Sequence, residues 1–190
     1  MSAPIQVYER FCGRYQNDTE LFSKEVAGML PTGQQLEMLK AYDKPAARVS
    51  CRSGHGTGKT ADLSIISLQS LLTKPFSRVI ITSGSLGTIT GSLWPEISTW
   101  FHRIVKQPEY KMFANWFFVG RTMLYHKQYP DTWNIKIRVV RKENPQTIAG
   151  AHCENLLYLV EEASSLAENP ELFDVLDGAL TSGPGNKMIL

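Results

Sequence analysis

The segment Ser53-Gly54-His55-Gly56-Thr57-Gly58-Lys59-Thr60 constrains this chain more than any other. Arg48 to Cys51 read as a strand leading into it. Beyond it, Ala61, Ile65, Leu68 and Leu72 recur at helical spacing, so a helix is expected to begin near Lys59. A strand, a glycine-rich turn and a helix in that order make a cradle for phosphate. Glycine lets backbone N–H groups close around an anion in dihedrals that other residues resist, and the helix N-terminus adds a favourable field. Lys59 is expected to reach the β- and γ-phosphates of a nucleoside triphosphate, and the Thr60 hydroxyl to ligate magnesium. The usual motif opens on glycine. Here Ser53 stands in that place, and Gly54 and Gly56 supply the flexibility.

A second constellation is Leu156-Leu157-Tyr158-Leu159-Val160-Glu161-Glu162. Its continuous apolar run suits a strand covered on both faces. At the carboxyl end of a strand beside the phosphate cradle, Glu161 would hold magnesium through water, and Glu162 would orient and deprotonate an attacking water.

Around these motifs the chain alternates strands and helices. The first thirty residues read as helical, with Val7, Phe11 and Tyr15 as one stripe and Asp18 or Thr19 as a cap. A short helix carries Gln34 to Leu39, and strands are expected at Arg78–Thr82, Asn115–Gly120, Thr122–His126 and Asn134–Val140. The region 86–105 reads as helix, kinked or restarted at Pro95, and Asn169–Leu180 as another helix before a strand from Lys187. This order predicts an α/β fold of the P-loop NTPase type (the ASCE subclass): a mostly parallel central sheet with helices on both faces, and an edge hairpin from Thr122 to Val140. Residues 1–190 form one domain, and a chain that stops inside a core strand is expected to be part of a longer protein.

A formal charge of +2 neither argues for nucleic acid nor excludes it. Cys12, Cys51 and Cys153 have no metal-ligand spacing and read as reduced thiols. No apolar run approaches the ~20 residues that span a bilayer, and no N-terminal apolar stretch after a basic start reads as a signal peptide.

Together the phrases R-V-S-C-R-S-G-H-G-T-G-K-T, L-L-Y-L-V-E-E-A-S and the upstream P-T-G-Q-Q-L-E-M-L resemble the large terminase subunit of tailed bacteriophages, from about Leu30 onward. That resemblance implies an ATPase domain that drives double-stranded DNA into a procapsid, with a nuclease domain further along the full protein. It implies ATP and Mg2+ as ligands, a portal protein and a small terminase subunit as partners, a homo-oligomeric ring during packaging, and the host cytoplasm as location. It also assigns adenine reading to Gln35, with Gln34 fitting less well. It suggests Thr181-Ser182-Gly183 as a motif coupling hydrolysis to movement. A charge-neutralising arginine is expected at Arg52 in cis, or at Arg138 or Arg141 acting on a neighbouring subunit. Where some relatives carry an arginine inside the P-loop, this chain has His55. Arg103, Lys106, Lys111, Trp116, Arg121, Tyr125, Lys127 and Lys136 are candidates for DNA contact. A helicase-like or repair ATPase would share these motifs, and a nucleotide-gated assembly module is the reading from another class.

Overall fold

The computed structural model describes residues 3–52, 54, 56–139, 153–166 and 170–190. Helix α1 (Ala3–Tyr15) leads to α2 (Thr19–Leu21), which widens into a π-helical turn over Phe22–Ala27. Asp18, not Thr19, caps α2, its Oδ1 accepting from the Leu21 N–H at 2.8 Å. Helix α3 (Gly33–Asp43), strand β1 (Arg48–Val49) and helix α4 (Lys59–Thr73) follow. Next come β2 (Arg78–Ser83), α5 (Leu86–Thr88) with a π-helical turn at Ile89–Leu93, and α6 (Trp94–Val105). The chain continues through α7 (Met112–Trp116), β3 (Phe117–Val119), β4 (Met123–His126) and β5 (Asn134–Val139). It closes with β6 (Leu156–Val160), α8 (Pro170–Leu180) and β7 (Lys187–Ile189).

The seven strands form one sheet in the order β1-β7-β6-β2-β5-β4-β3. The first five run parallel, and β4 and β3 add antiparallel strands at one edge. The expected hairpin therefore exists, but its second strand, β5, is interior and pairs with β2, so β3 forms the edge. Strand β6 is buried along its whole length, and its alternate side chains serve two cores. Leu157 and Leu159 face the helix-rich side with Ile65, Leu68 and Leu72 of α4. Leu156, Tyr158 and Val160 face Leu172, Leu176 and Ala179 of α8. Replacing the fully enclosed Leu159 by alanine is expected to cost about 2–5 kcal/mol, read as a shift in the urea midpoint without change of slope.

Val7 and Leu30 are exposed, whereas Phe11 and Tyr15 are buried against Phe22 and Phe113. Residues 115 and 116 stay helical. Phe113 and Trp116, one turn apart, both pack their rings against Tyr8, which a strand's alternation would forbid. Pro95 lies in the first turn of α6, just after the π-helical turn. A wider turn there suits a residue with no N–H to offer and a ring that crowds the preceding carbonyl. Val140 and Asn169 lie outside the described residues.

Candidate functional site

Strand β1 ends at the sheet's carboxyl edge, and the glycine loop carries the chain from there to the N-terminus of α4. Gly56 and Gly58 have φ of +79° and +84°, the left-handed region that glycine enters at no steric cost. Gly58 is the N-cap of α4, and its carbonyl accepts from the Asp62 N–H at 3.1 Å. Thr57 Oγ1 and Lys59 Nζ both donate to the Gly54 carbonyl, at 3.2 and 3.3 Å, so the loop closes over its own lysine.

On the neighbouring side, β6 delivers the acidic pair. The Glu161 N–H donates to the Thr82 carbonyl at 2.8 Å, which extends the β6–β2 ladder by one residue. Glu162 then adopts φ +53°, a left-handed backbone on a residue with a β-carbon, and the chain turns into a short 3₁₀ helix over Ala163–Leu166. Such strain persists where the surrounding structure imposes it, and it clusters at functional sites. Burial raises the Glu161 pKa most, the like charge of Glu162 adds to that, and Lys59 opposes both. Lys59 and Glu161 are thus close enough to feel each other's charge.

Glycine loop and acidic pair line a single cleft of about 1250 Å³. Its walls include Arg52, Gly54, Gly56, Thr57, Gly58, Lys59, Thr60, Glu161 and Glu162. Ser53, His55 and Arg141 lie outside the described residues. Arg138 stands on β5 opposite Thr82 in register, and its charge acts on Tyr158, on the sheet face that α8 covers. Arg138 is not among the walls of this cleft, as a group acting on a neighbouring copy need not be.

Gln35 does not face the cleft freely. It is 8 % exposed and completes a capping box on α3: its Oε1 accepts from the Thr32 N–H at 2.9 Å, while Thr32 Oγ1 accepts from the Gln35 N–H at 3.5 Å. Its Nε2 donates to the Gly58 carbonyl at 3.3 Å. One N–H of Nε2 and one lone pair of Oε1 remain, the donor and the acceptor that reading N7 and the amino group of adenine would use. Gln34 is exposed.

The Thr181-Ser182-Gly183 turn lies at the other end of the sheet. A β-carbon on Gly183 would sit 3.0 Å from Glu154, just before β6, whereas Glu161 lies beyond the far end of that strand, which is roughly 16 Å long. The turn joins α8 to the start of β7, and in a parallel sheet the start of a strand is opposite the edge that carries the cradle. Asn186, fully buried, holds the turn there: its Oδ1 accepts from the Leu156 N–H at 2.8 Å and its Nδ2 donates to Ser182 Oγ at 3.1 Å.

Three polar side chains escaped the sequence reading. Thr88, Ser92 and Glu96 form the cleft's opposing wall at four-residue intervals, with Glu96 Oε1 accepting from Trp100 Nε1 at 2.9 Å. A second surprise is Asp62, 2 % exposed on α4, whose pKa burial pushes up to about 7 while Gln35 pulls it back. Among the candidate DNA contacts, Trp116 belongs to the aromatic core around Tyr8 and Phe113, and Arg103 stacks over Trp100 at 4.9 Å.

Among the described residues no group of three or more His, Cys, Asp or Glu side chains could hold a metal, and no helix is long and apolar enough to cross a membrane. Thr60 and Glu161 are hard oxygen donors on one cleft, a set that fits magnesium, which keeps several waters and takes few protein ligands.

The sheet order, the glycine cradle and the strand-end carboxylates define the fold of a P-loop NTPase. Within that class the chain resembles the large terminase subunits of bacteriophages. It is 29 % identical over 177 residues to a probable terminase large subunit of Enterobacteria phage P7, covering 93 % of this chain and 35 % of that protein. The chain thus spans about a third of that relative's length. Its fold matches the large terminase ATPase domain of Thermus phage P74-26, with a TM-score of 0.58, 17 % identity and coverage of 87 % of this chain and 66 % of that one. A point variant of the same domain matches at 0.57, again at 17 % identity and over 87 % of this chain and 67 % of that one. No family model matches the chain.

Proposed function

We propose that this cleft binds ATP with magnesium and hydrolyses it, and that the chain is the ATPase motor of a terminase that packages double-stranded DNA into a procapsid. One observation carries the reading: Lys59, Thr60, Glu161 and Glu162 share a single cleft on a fold common to large-terminase ATPase domains.

The loop amides and the N-terminus of α4 would bind the phosphates, with Lys59 leaving the Gly54 carbonyl for the β- and γ-phosphate oxygens. Thr60 and Glu161 would hold magnesium, which when bound neutralises charge on those oxygens. Glu162 orients a water against the γ-phosphorus and accepts its proton. The bond to the β-phosphate oxygen breaks, and ADP and inorganic phosphate leave. Arg52 lines the cleft and is the candidate for neutralising charge in cis. Arg138 or Arg141 of a neighbouring copy in a ring is the candidate in trans. The full protein would act in the host cytoplasm with a portal protein and a small terminase subunit.

The direct test is ATP-dependent protection of DNA from nuclease by procapsids, using the full-length protein. Protection that requires Lys59 supports the motor reading. DNA unwinding without protection would favour a helicase-like enzyme, and an ATP-dependent change of assembly state without turnover would favour an assembly module. DNA contacts from the basic surface, including Arg121 and Lys136, predict affinity that falls linearly in log–log fashion with salt; a flat response would remove them.

A further inference from the structure

A parallel sheet in an α/β fold is ordinarily covered on both faces. On the α8 side of this sheet the cover stops short. Ile80 of β2 is enclosed in the core that holds Leu172 and Leu176 of α8. Lys136, its register partner on β5, is exposed although β5 is an interior strand. From β5 outward, alternation along the strands decides what this open face carries. Phe117, Leu124 and Ile135 belong to the core on the α4 side, so their chain neighbours Phe118, Tyr125 and Lys136 stand on the other. Phe118 is 50 % exposed, and its ring lies 5.5 Å from that of its cross-strand partner Tyr125, at 45°. Lys136 is diagonal to Tyr125 across the β4–β5 ladder, about 7–8 Å away between backbones. Arg121 is exposed in the connection from β3 to β4. From Phe117 to Val139 the only acidic residue is Asp131, which lies in the turn beyond β4.

We propose that this open sheet face is a binding site for single-stranded nucleic acid, with unstacked bases lying on Phe118 and Tyr125 while Lys136 and Arg121 hold the phosphates. The inference goes beyond the packaging of duplex DNA and does not depend on the ATP cleft. Planar rings set among cations match a chain in which planar bases alternate with phosphates. A sheet face that offers aromatic rings to splayed bases is a general way of holding a single strand. A duplex keeps its bases stacked on one another and would leave the two rings idle, since only its phosphates and groove edges are within reach. An acidic peptide would answer the cations and not the rings. Every base has a π face, so the site is expected to hold a strand with little regard to its sequence.

The test is fluorescence anisotropy with a labelled oligothymidylate and a labelled duplex of the same length, for the wild type, Phe118→Leu, Phe118→Trp and Lys136→Ala. The wild type is expected to prefer the single strand. Phe118→Leu keeps an apolar side chain on the edge strand and removes the ring, so it should lose about tenfold in single-strand affinity, the scale of one base–ring stack, and nothing in duplex affinity. Phe118→Trp restores a ring and should bind like the wild type. Lys136→Ala should weaken both probes and lower the salt dependence by about one phosphate contact. The proposal is overturned if the wild type does not bind the oligothymidylate, or binds the duplex as tightly. It is equally overturned if Phe118→Leu matches the wild type, or loses both probes together as a merely structural residue would. Neither probe is a nucleoside triphosphate, so failure here leaves the reading of the ATP cleft untouched.

Discussion

Glutamine in place of Glu162 is expected to leave ATP binding intact and to slow its hydrolysis by roughly 10²- to 10⁴-fold, the range that a positioned general base supplies. The amide keeps the size of the carboxylate and loses the ability to take a proton. Nucleotide retention on filters and phosphate release measure the two properties separately. The backbone sharpens the test. Glu162 sits at φ +53°, a conformation that costs a residue with a β-carbon roughly 1–2 kcal/mol. Glu162→Gly should therefore be inactive like the glutamine variant and yet melt at a higher temperature. A glycine variant that is inactive because it is unfolded would point to a structural role for this turn.

Alanine at Gly58 should have the second large effect. The position combines φ +84° with a β-carbon that would lie 2.5 Å from Gln35 Nε2. Both the left-handed N-cap of α4 and the strap from α3 would have to shift, and the loop amides would lose their aim. ATP affinity is expected to fall by at least ~30-fold, equivalent to ~2 kcal/mol. Gly54→Ala is the matched control, because a β-carbon there meets nothing within 4 Å. Equal losses at the two glycines would show that loop flexibility, and not the contact with Gln35, sets the affinity.

What the sequence disclosed follows from what each signal depends on. The cradle and the strand-end glutamates were legible because their chemistry needs particular residues in consecutive order. Strand β6 was legible because burial on both faces leaves no polar position in Leu156–Val160. Contacts across the fold were not. Gln35 and Gly58 are 23 residues apart, and only the packing of α3 on α4 shows that the glutamine amide is tied to the cradle. Lys187 reads as an ordinary strand-start lysine, yet it is buried, with Nζ donating to the Tyr42 carbonyl at 2.6 Å and lying over the Tyr42 ring. Thr181–Gly183 misled for a different reason. Its residue types suited a coupling motif, but its place before β7 and not after it sets it at the wrong end of a parallel sheet. The polar wall of Thr88, Ser92 and Glu96 lies at helical spacing, but spacing alone does not show that this face borders the cleft.

Whether Lys59, Thr60, Glu161 and Glu162 form one hydrolytic site is read from steady-state phosphate release from ATP with magnesium, followed across protein concentration for the wild type and for Lys59→Ala. Turnover by the wild type is expected to be lost in the variant, with specific activity rising with concentration if a neighbouring copy supplies the arginine. Undiminished turnover by Lys59→Ala would mean that the ammonium the glycine loop closes over has no part in the chemistry, and that the four residues are not a hydrolytic site.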